Sequence, residues 1–349
     1  VGSEMCIRDS HVALGRMHVE CEQRLLSLTM WMASACRVGV RAAPRTAWRT
    51  PCRALHMSAP VREESAVPEA PDAPDASATS KAEKTMSRFW KTVGIAFRSR
   101  EAGDENAQRM GDHYEVQLDK RSLRTPGGSV LRVPADRPLL ACLVAQEWDE
   151  QTQVLRPFSL PMTSLVSRAI DGLTAPGDRA HAESQLLRYF DTDALCFHEP
   201  EPEVLARLQR ERWEPLIDWV RQTYDVEIHT TEGLSVAQPP ASRAKMAGLL
   251  PPMSVLDLAA FERSVMTSKS FLLSLALVNA HIDAEQAALA AEVEVASQAS
   301  AWGAVDDSHD VDHAELRRQL ASVACAMVRT DEAQVRKFVQ VLEARGNKL

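Results

Sequence analysis

Along this chain the apolar positions repeat with one of two periods, and the change falls near residue 164. In "HYEVQLD" the alternation is strict: Tyr114, Val116 and Leu118 lie on one side, Glu115 and Gln117 on the other. A period of two predicts a half-buried strand. "RFWKTVGIAF" (residues 88–97) and "SVLRVP" (residues 129–134) supply further strands from β-branched and aromatic residues, and "DKRSLRTPGG" between them has turn chemistry. "DRPLLACLVAQEWDEQ" predicts a helix, capped by Asp136, opened by Pro138, with Leu139, Leu140, Leu143 and Val144 as its apolar face. "LRPFSLPMTS" is expected to be extended and punctuated by its prolines. Residues 87–163 thus predict a small α/β domain, antiparallel strands with a covering helix.

From residue 164 to the end at 349 the period becomes 3.6, and the expectation is an all-helical domain. "SQLLRYF", "PEVLARLQRERWEPLIDWVRQTY", "ASRAKMAGLL", "SVLDLAAFERSVMTSKSFLLSLALVNAH", "DAEQAALAAEVEVASQASAW" and "DHAELRRQLASVACAMV" each predict a helix. In the second, Trp213, Leu216, Ile217, Val220 and Tyr224 follow helical spacing, and Pro215 should break or kink it near Glu214. Asp283 and Gln286 form a capping-box pattern, and Gly303 is placed to end that helix. "FLLSLALV" (residues 271–278) predicts a fully buried helix. Eight residues rise only ~12 Å, short of the ~20 residues that span a membrane, so no stable membrane insertion is expected. The fold class is therefore α+β.

The first 86 residues follow neither period. "VGSEMCIRDS" fits nothing after it and is expected not to belong to the natural product; Met30 or Met32 is the better start. From residue 30 to residue 60 there are five arginines (Arg37, Arg41, Arg45, Arg49, Arg53) and no Asp, Glu or Lys. An Arg-rich, acid-free segment predicts a mitochondrial presequence, cleaved near Arg53 to Ser58. Residues 61–86, rich in Pro, Ala, Ser and acids, predict a disordered linker.

The formal net charge of -8 argues against a nucleic-acid binder. Seven cysteines with no CxxC spacing fit neither a disulfide scaffold nor a zinc site; Cys142, Cys196 and Cys325 sit beside apolar residues and are expected as buried thiols. No phosphate-binding glycine loop, GxSxG or HExxH occurs. Two clusters keep an enzyme reading open. In "DDSHDVDH", His309 and His313 are four residues apart with Asp306 and Asp310 nearby, a spacing that could hold a metal. "YFDTDALCFHEPEP" (residues 189–202) carries Asp191 and Asp193. A hydrolase or metal enzyme on these residues is the alternative. The other reading gives both Asp residues turn-bracing posts and makes "DDSHDVDH" a loop and helix cap, with no cofactor or metal.

"RFWKTVGI", "YEVQLDKRSLRTPGGSVLRVP", "AQEWDEQ" (with Trp148), "LLRYFDTDALCF", "QRERWEPLIDW" (with Trp213) and "WGAVDDSHD" resemble, in this order, the F1-ATPase assembly factor 2 family, over about Arg88 to Met327. The resemblance implies a small α/β domain followed by an orthogonal helical bundle. It also implies a mitochondrial-matrix chaperone with no catalytic activity, which binds the unassembled alpha subunit of ATP synthase before beta joins. The family's pattern LExxxQxxxWG assigns functional weight to Glu294, with Gln298 and Trp302 matching and Val293 in place of Leu. On a helical wheel, Leu289, Val293, Ala296 and Ser300 make the expected core face. Glu294 and Gln298 point away from it, flanked by Ala287, Ala291, Val295 and Trp302. Glu294, Gln298, Val295 and Trp302 are therefore the expected partner-binding residues.

Overall fold

In the computed structural model, residues 87–99 and 111–344 are described, and they belong to one compact unit. The expected presequence and linker lie outside the described residues. Strands β1 (Val93–Arg98), β2 (His113–Leu118), β3 (Arg121–Ser122) and β4 (Arg132–Pro134) form one antiparallel sheet. β2 is central: β1 pairs along one side, β3 and β4 share the other. The turn from β2 to β3 has positive φ at both Asp119 and Lys120, the backbone that lets a two-residue hairpin keep the strands' twist. The Asp119 carboxylate accepts from the amides of Lys91 and Thr92 and so pins the start of β1 to this turn.

The core side of β2 is Tyr114, Val116 and Leu118, as the alternation predicts. The opposite side is not solvated. Glu115 is buried with His113, Ser122 and Arg98 around it. The hydrogen bond from His113 outweighs desolvation and holds the Glu115 carboxyl at about 2, while the same bond raises His113.

Helix α1 (Pro138–Asp149) covers the sheet. Its cap is Arg137, not Asp136. Arg137 makes no side-chain cap bond, and Asp136 instead lies near Arg329. The buried face is Leu140, Ala141, Val144, Ala145 and Trp148, with Leu139 and Leu143 half-buried at its margin. Trp90 packs on Trp148 at 5.0 Å. "LRPFSLPMTS" is not extended throughout: Pro157–Ser159 form a 3-10 turn and Pro161 opens α2 (Pro161–Gly172). The expected domain boundary at 163/164 falls in the first turn of that helix. α2 has no cap of its own, and Glu147 supplies one across the chain, accepting from the amides of Met162 (2.6 Å) and Thr163 (2.9 Å). Burial raises the Glu147 carboxyl. The glycine turn docks on the far end of α2: Asp171 accepts from Gly127 N, and any Cβ on Gly127 would collide with that carboxylate at 2.7 Å.

The remaining helices are α3 (Pro176–Asp191), α4 (Glu203–Arg212), α5 (Glu214–Tyr224), α6 (Pro240–Gly248), α7 (Val255–Ser268), α8 (Phe271–Val278), α9 (Ala284–Ala291), α10 (Val293–Trp302), α11 (His309–Met327) and α12 (Glu332–Ala344). The break between α4 and α5 is at Trp213, two residues before Pro215, as that proline requires. Two expected single helices are each two. Lys269 adopts a left-handed conformation between α7 and α8, and Glu292 interrupts α9 and α10. α8 is buried along nearly its whole length, with Phe271 against Phe190 and Phe261. A buried charge cluster ties three distant segments: Arg137 donates to Asp257 and to the Ala326 carbonyl, and Arg329 donates to Asp257 at 2.6 Å. Desolvation would raise Asp257, but Arg137, the Ser254 hydroxyl and Arg329 together outweigh it and keep its carboxyl lowered. Cys196 is buried, whereas Cys142 and Cys325 are only half-buried because each lies at the margin of its helix's core face. Among the described residues no helix is long and apolar enough to cross a membrane.

Candidate functional site

The two acids of "YFDTDALCFHEPEP" have different posts. Asp191 is the last residue of α3 rather than part of the following turn, and forms an exposed two-point pair with Arg243 at 2.7 and 3.1 Å. Asp193 is fully buried. One of its oxygens accepts from Leu195 N (3.0 Å) and starts the 3-10 turn Ala194–Cys196; the other accepts from Leu272 N (2.9 Å) at the head of α8. Burial raises its carboxyl to about 6, against the opposing hydrogen bonds from Ser270 and the backbone amides. Asp193 is thus a staple between α3 and α8, surrounded by backbone donors.

The histidine pair is also engaged. His309 accepts from the amide of Val305 through Nδ1 (3.0 Å) at the start of α11, and His313 bonds Glu292. Among the described residues no group of three or more His, Cys, Asp or Glu side chains is placed to hold a metal.

Glu292 organises the candidate docking face. The α4–α5 corner reaches back to the end of α9: the Trp213 indole donates to the Ala290 carbonyl at 2.8 Å, and Arg212 donates to Leu289 O at 2.8 Å. These carbonyls, at the terminal turn of α9, take side-chain donors from outside the helix. The chain then turns at Glu292, whose buried carboxylate pairs with Arg317 (3.1 Å) and His313 on α11. The break rephases α10 relative to the expected wheel. Ala287 is buried rather than flanking the strip, Ala291 is half-buried, and Ser300 is exposed rather than in the core, where Ser297 takes its place beside Val293. Glu294 and Gln298 are exposed, Val295 is 37% exposed, and Trp302 is 83% exposed at the end of the helix, where Gly303 (φ 83°) stops it. Among the described residues Glu294 has no hydrogen-bond or ion-pair partner. Trp148 and Trp213, by contrast, are buried and donate to Thr163 and Ala290.

The wheel did not reach Glu292, because its partners stand on α11. The exposed apolar residues next in line, Val305 and Val311, were also missed, although the "WGAVDDSHD" stretch holds the first of them.

Fold and site together define a braced α+β scaffold, in which Asp191, Asp193, His309 and His313 serve its own backbone and helices while α10 turns an aromatic and an unpaired carboxylate outward. A family model described as ATP12 chaperone protein matches residues 87–221, the sheet and the helices up to α5. The Schizosaccharomyces pombe protein named "Protein atp12, mitochondrial" is 32% identical over 251 residues, covering 69% of this chain and 82% of that one. The Saccharomyces cerevisiae "Protein ATP12, mitochondrial" is 31% identical over 290 residues, covering 71% and 86%. Among solved structures, Atp12 from Paracoccus denitrificans is 27% identical with a TM-score of 0.57, over 74% of this chain and 100% of that one. The chain belongs to the ATP12 chaperone family.

Proposed function

We propose that this chaperone binds the unassembled alpha subunit of the F1-ATPase in the mitochondrial matrix and keeps it from aggregating or mispairing until beta joins. The contact face in this reading is α10, through Glu294, Val295, Gln298 and Trp302, and the role is non-catalytic. Family membership, the mitochondrial names of the fungal relatives and the acid-free Arg-rich leader support it. The observation that carries the choice of face is Trp302, 83% exposed on a helix whose Glu294 has no partner among the described residues. A large aromatic left in water beside a free charge is the composition of a protein-contact surface. A pull-down from mitochondrial extract, scored for alpha against beta, tests the reading. Retention of alpha without beta is expected; equal recovery of both, or of neither, contradicts it. Recovery of finished ATP synthase would instead make the protein a stable subunit.

A further inference from the structure

The corner between α10 and α11 carries surface beyond the four α10 residues. Every residue from Ser300 to Ser308 is exposed, and three large apolar side chains lie along the stretch or just past it: Trp302, Val305 (60% exposed) and Val311 (58%). This corner is held in shape. Gly303 N donates to Ala299 O at 2.9 Å, Val305 N donates to His309 Nδ1 at 3.0 Å, and His309 N donates to Val305 O at 3.1 Å. Below it, Glu292 locks to His313 and Arg317. A surface fixed beforehand loses little freedom when it is covered.

From residue 294 to residue 312 the chain carries acids and no lysine or arginine. Glu294, Asp306, Asp307, Asp310 and Asp312 are all exposed, and among the described residues none is in an ion pair. Several acids elsewhere, among them Glu115, Asp191, Asp257, Glu262, Glu285, Glu292 and Glu315, have an arginine, whereas these five adjoin one another without one. Glu294, Asp310 and Asp312 stand in first turns of helices, where the helix dipole favours them; Asp306 and Asp307 have no such post.

We infer that this corner extends the docking face and takes a polypeptide segment in which lysine or arginine stands beside aliphatic or aromatic residues. The inference rests on the reading of α10 as the client-binding face and names the chemistry of what it grips. Apolar side chains cover Trp302, Val305 and Val311, while basic groups meet the unpaired acids. Nucleic acid and anionic lipid are repelled by the same acids. A second copy is disfavoured, because a two-fold contact would set this acidic patch against itself.

Two arms test it with the purified full chain. The first measures fluorescence anisotropy of a labelled peptide in which lysine alternates with leucine and valine, against a twin with glutamate for lysine. The lysine peptide should bind and the twin should not. Binding should fall about fivefold in the double variant Asp306→Asn, Asp307→Asn and in Val305→Ser, Val311→Ser, and the charge effect should shrink in high salt. Thermal melts of both variants should match wild type, since these side chains are exposed. Equal binding of the two peptides, no binding of either, or variants that bind like wild type would overturn the inference. So would a dimer in sedimentation velocity that Val305→Ser, Val311→Ser dissociates, since the occupant would then be a second copy. The second arm scores alpha subunit kept soluble. If wild type protects alpha, Glu294→Lys does not, and the corner variants protect fully, the inference fails and the α10 reading stands. If wild type does not protect alpha, that reading fails and the peptide arm alone decides the corner.

Discussion

Asp193 makes a test of whether the two acids of "YFDTDALCFHEPEP" are structural, because its environment sets both a magnitude and a pH signature. The carboxylate is fully buried and uses both oxygens, one on Leu195 N at 3.0 Å and one on Leu272 N at 2.9 Å. Asn at this position keeps the volume but replaces one acceptor with an NH2 donor, which must face one of those amides. A buried backbone donor left without an acceptor costs about 1–3 kcal/mol. Removing the buried charge offsets part of this. The expected net loss for Asp193→Asn at pH 7 is about 0.5–2 kcal/mol. The pH dependence is more specific. Burial raises the folded carboxyl to about 6 from the ordinary 3.8, so the folded protein binds this proton more tightly than the unfolded chain does. The stabilisation is fully present below 3.8 and is lost as pH rises through about 6. Between pH 7 and pH 5 the wild type should therefore gain about 1.4 kcal/mol from this one group, a gain that the Asn variant lacks. His113, Glu115 and the other titrating groups are common to both proteins and cancel in the difference. Urea melts of the two proteins at pH 7, 6 and 5 measure it. Parallel stability profiles, or an Asn variant more stable than wild type at pH 7, would refute the staple reasoning.

Asp191→Asn should cost only about 0.2–1 kcal/mol in a thermal or urea melt, because its pair with Arg243 is exposed. Trp213→Phe keeps the ring but strips the donor from the buried Ala290 carbonyl; a loss of about 1–3 kcal/mol is expected in the same melts. Glu292→Gln should destabilise by about 1–2 kcal/mol, since Arg317 and His313 lose a buried charged partner while Arg317 keeps Glu285. Glu294→Lys, only two residues away, breaks no contact but sets a cation in the first turn of α10, and should cost about 0.5–1 kcal/mol in the same melts.

The elements whose causes are local were legible in the sequence. Pro215 breaks its helix from within, Asp283 and Gln286 cap each other over three residues, and the alternation of Tyr114, Val116 and Leu118 states its own face. The features that were not legible depend on partners far along the chain. Nothing beside Glu292 signals that Arg212 and Trp213 will hold the end of α9, or that Arg317 will receive the carboxylate. A wheel drawn through one continuous helix therefore misplaced Ala287 and Ser300. Glu115 reads as a solvent-facing strand residue, yet Arg98, His113 and Ser122 close over it. Arg137 and Asp257, 120 residues apart, carry no pattern that pairs them. At the candidate site, the exposure of Glu294, Gln298 and Trp302 could be read from helical phase within α10 alone, while Val305 and Val311 become one surface with Trp302 only through the turn held by His309.

The claim that α10 is the face that holds the client is tested most directly by diluting denatured alpha subunit into wild type, Glu294→Gln and Glu294→Lys, with melts of the three proteins as controls. Wild type and Glu294→Gln should melt nearly together, with Glu294→Lys only slightly lower. Wild type should keep the largest fraction of alpha soluble, Glu294→Gln somewhat less, and Glu294→Lys least, because reversal sets like charge against the basic groups of the client. Equal protection by all three, or a large fall in the melting temperature of Glu294→Lys, would contradict the account.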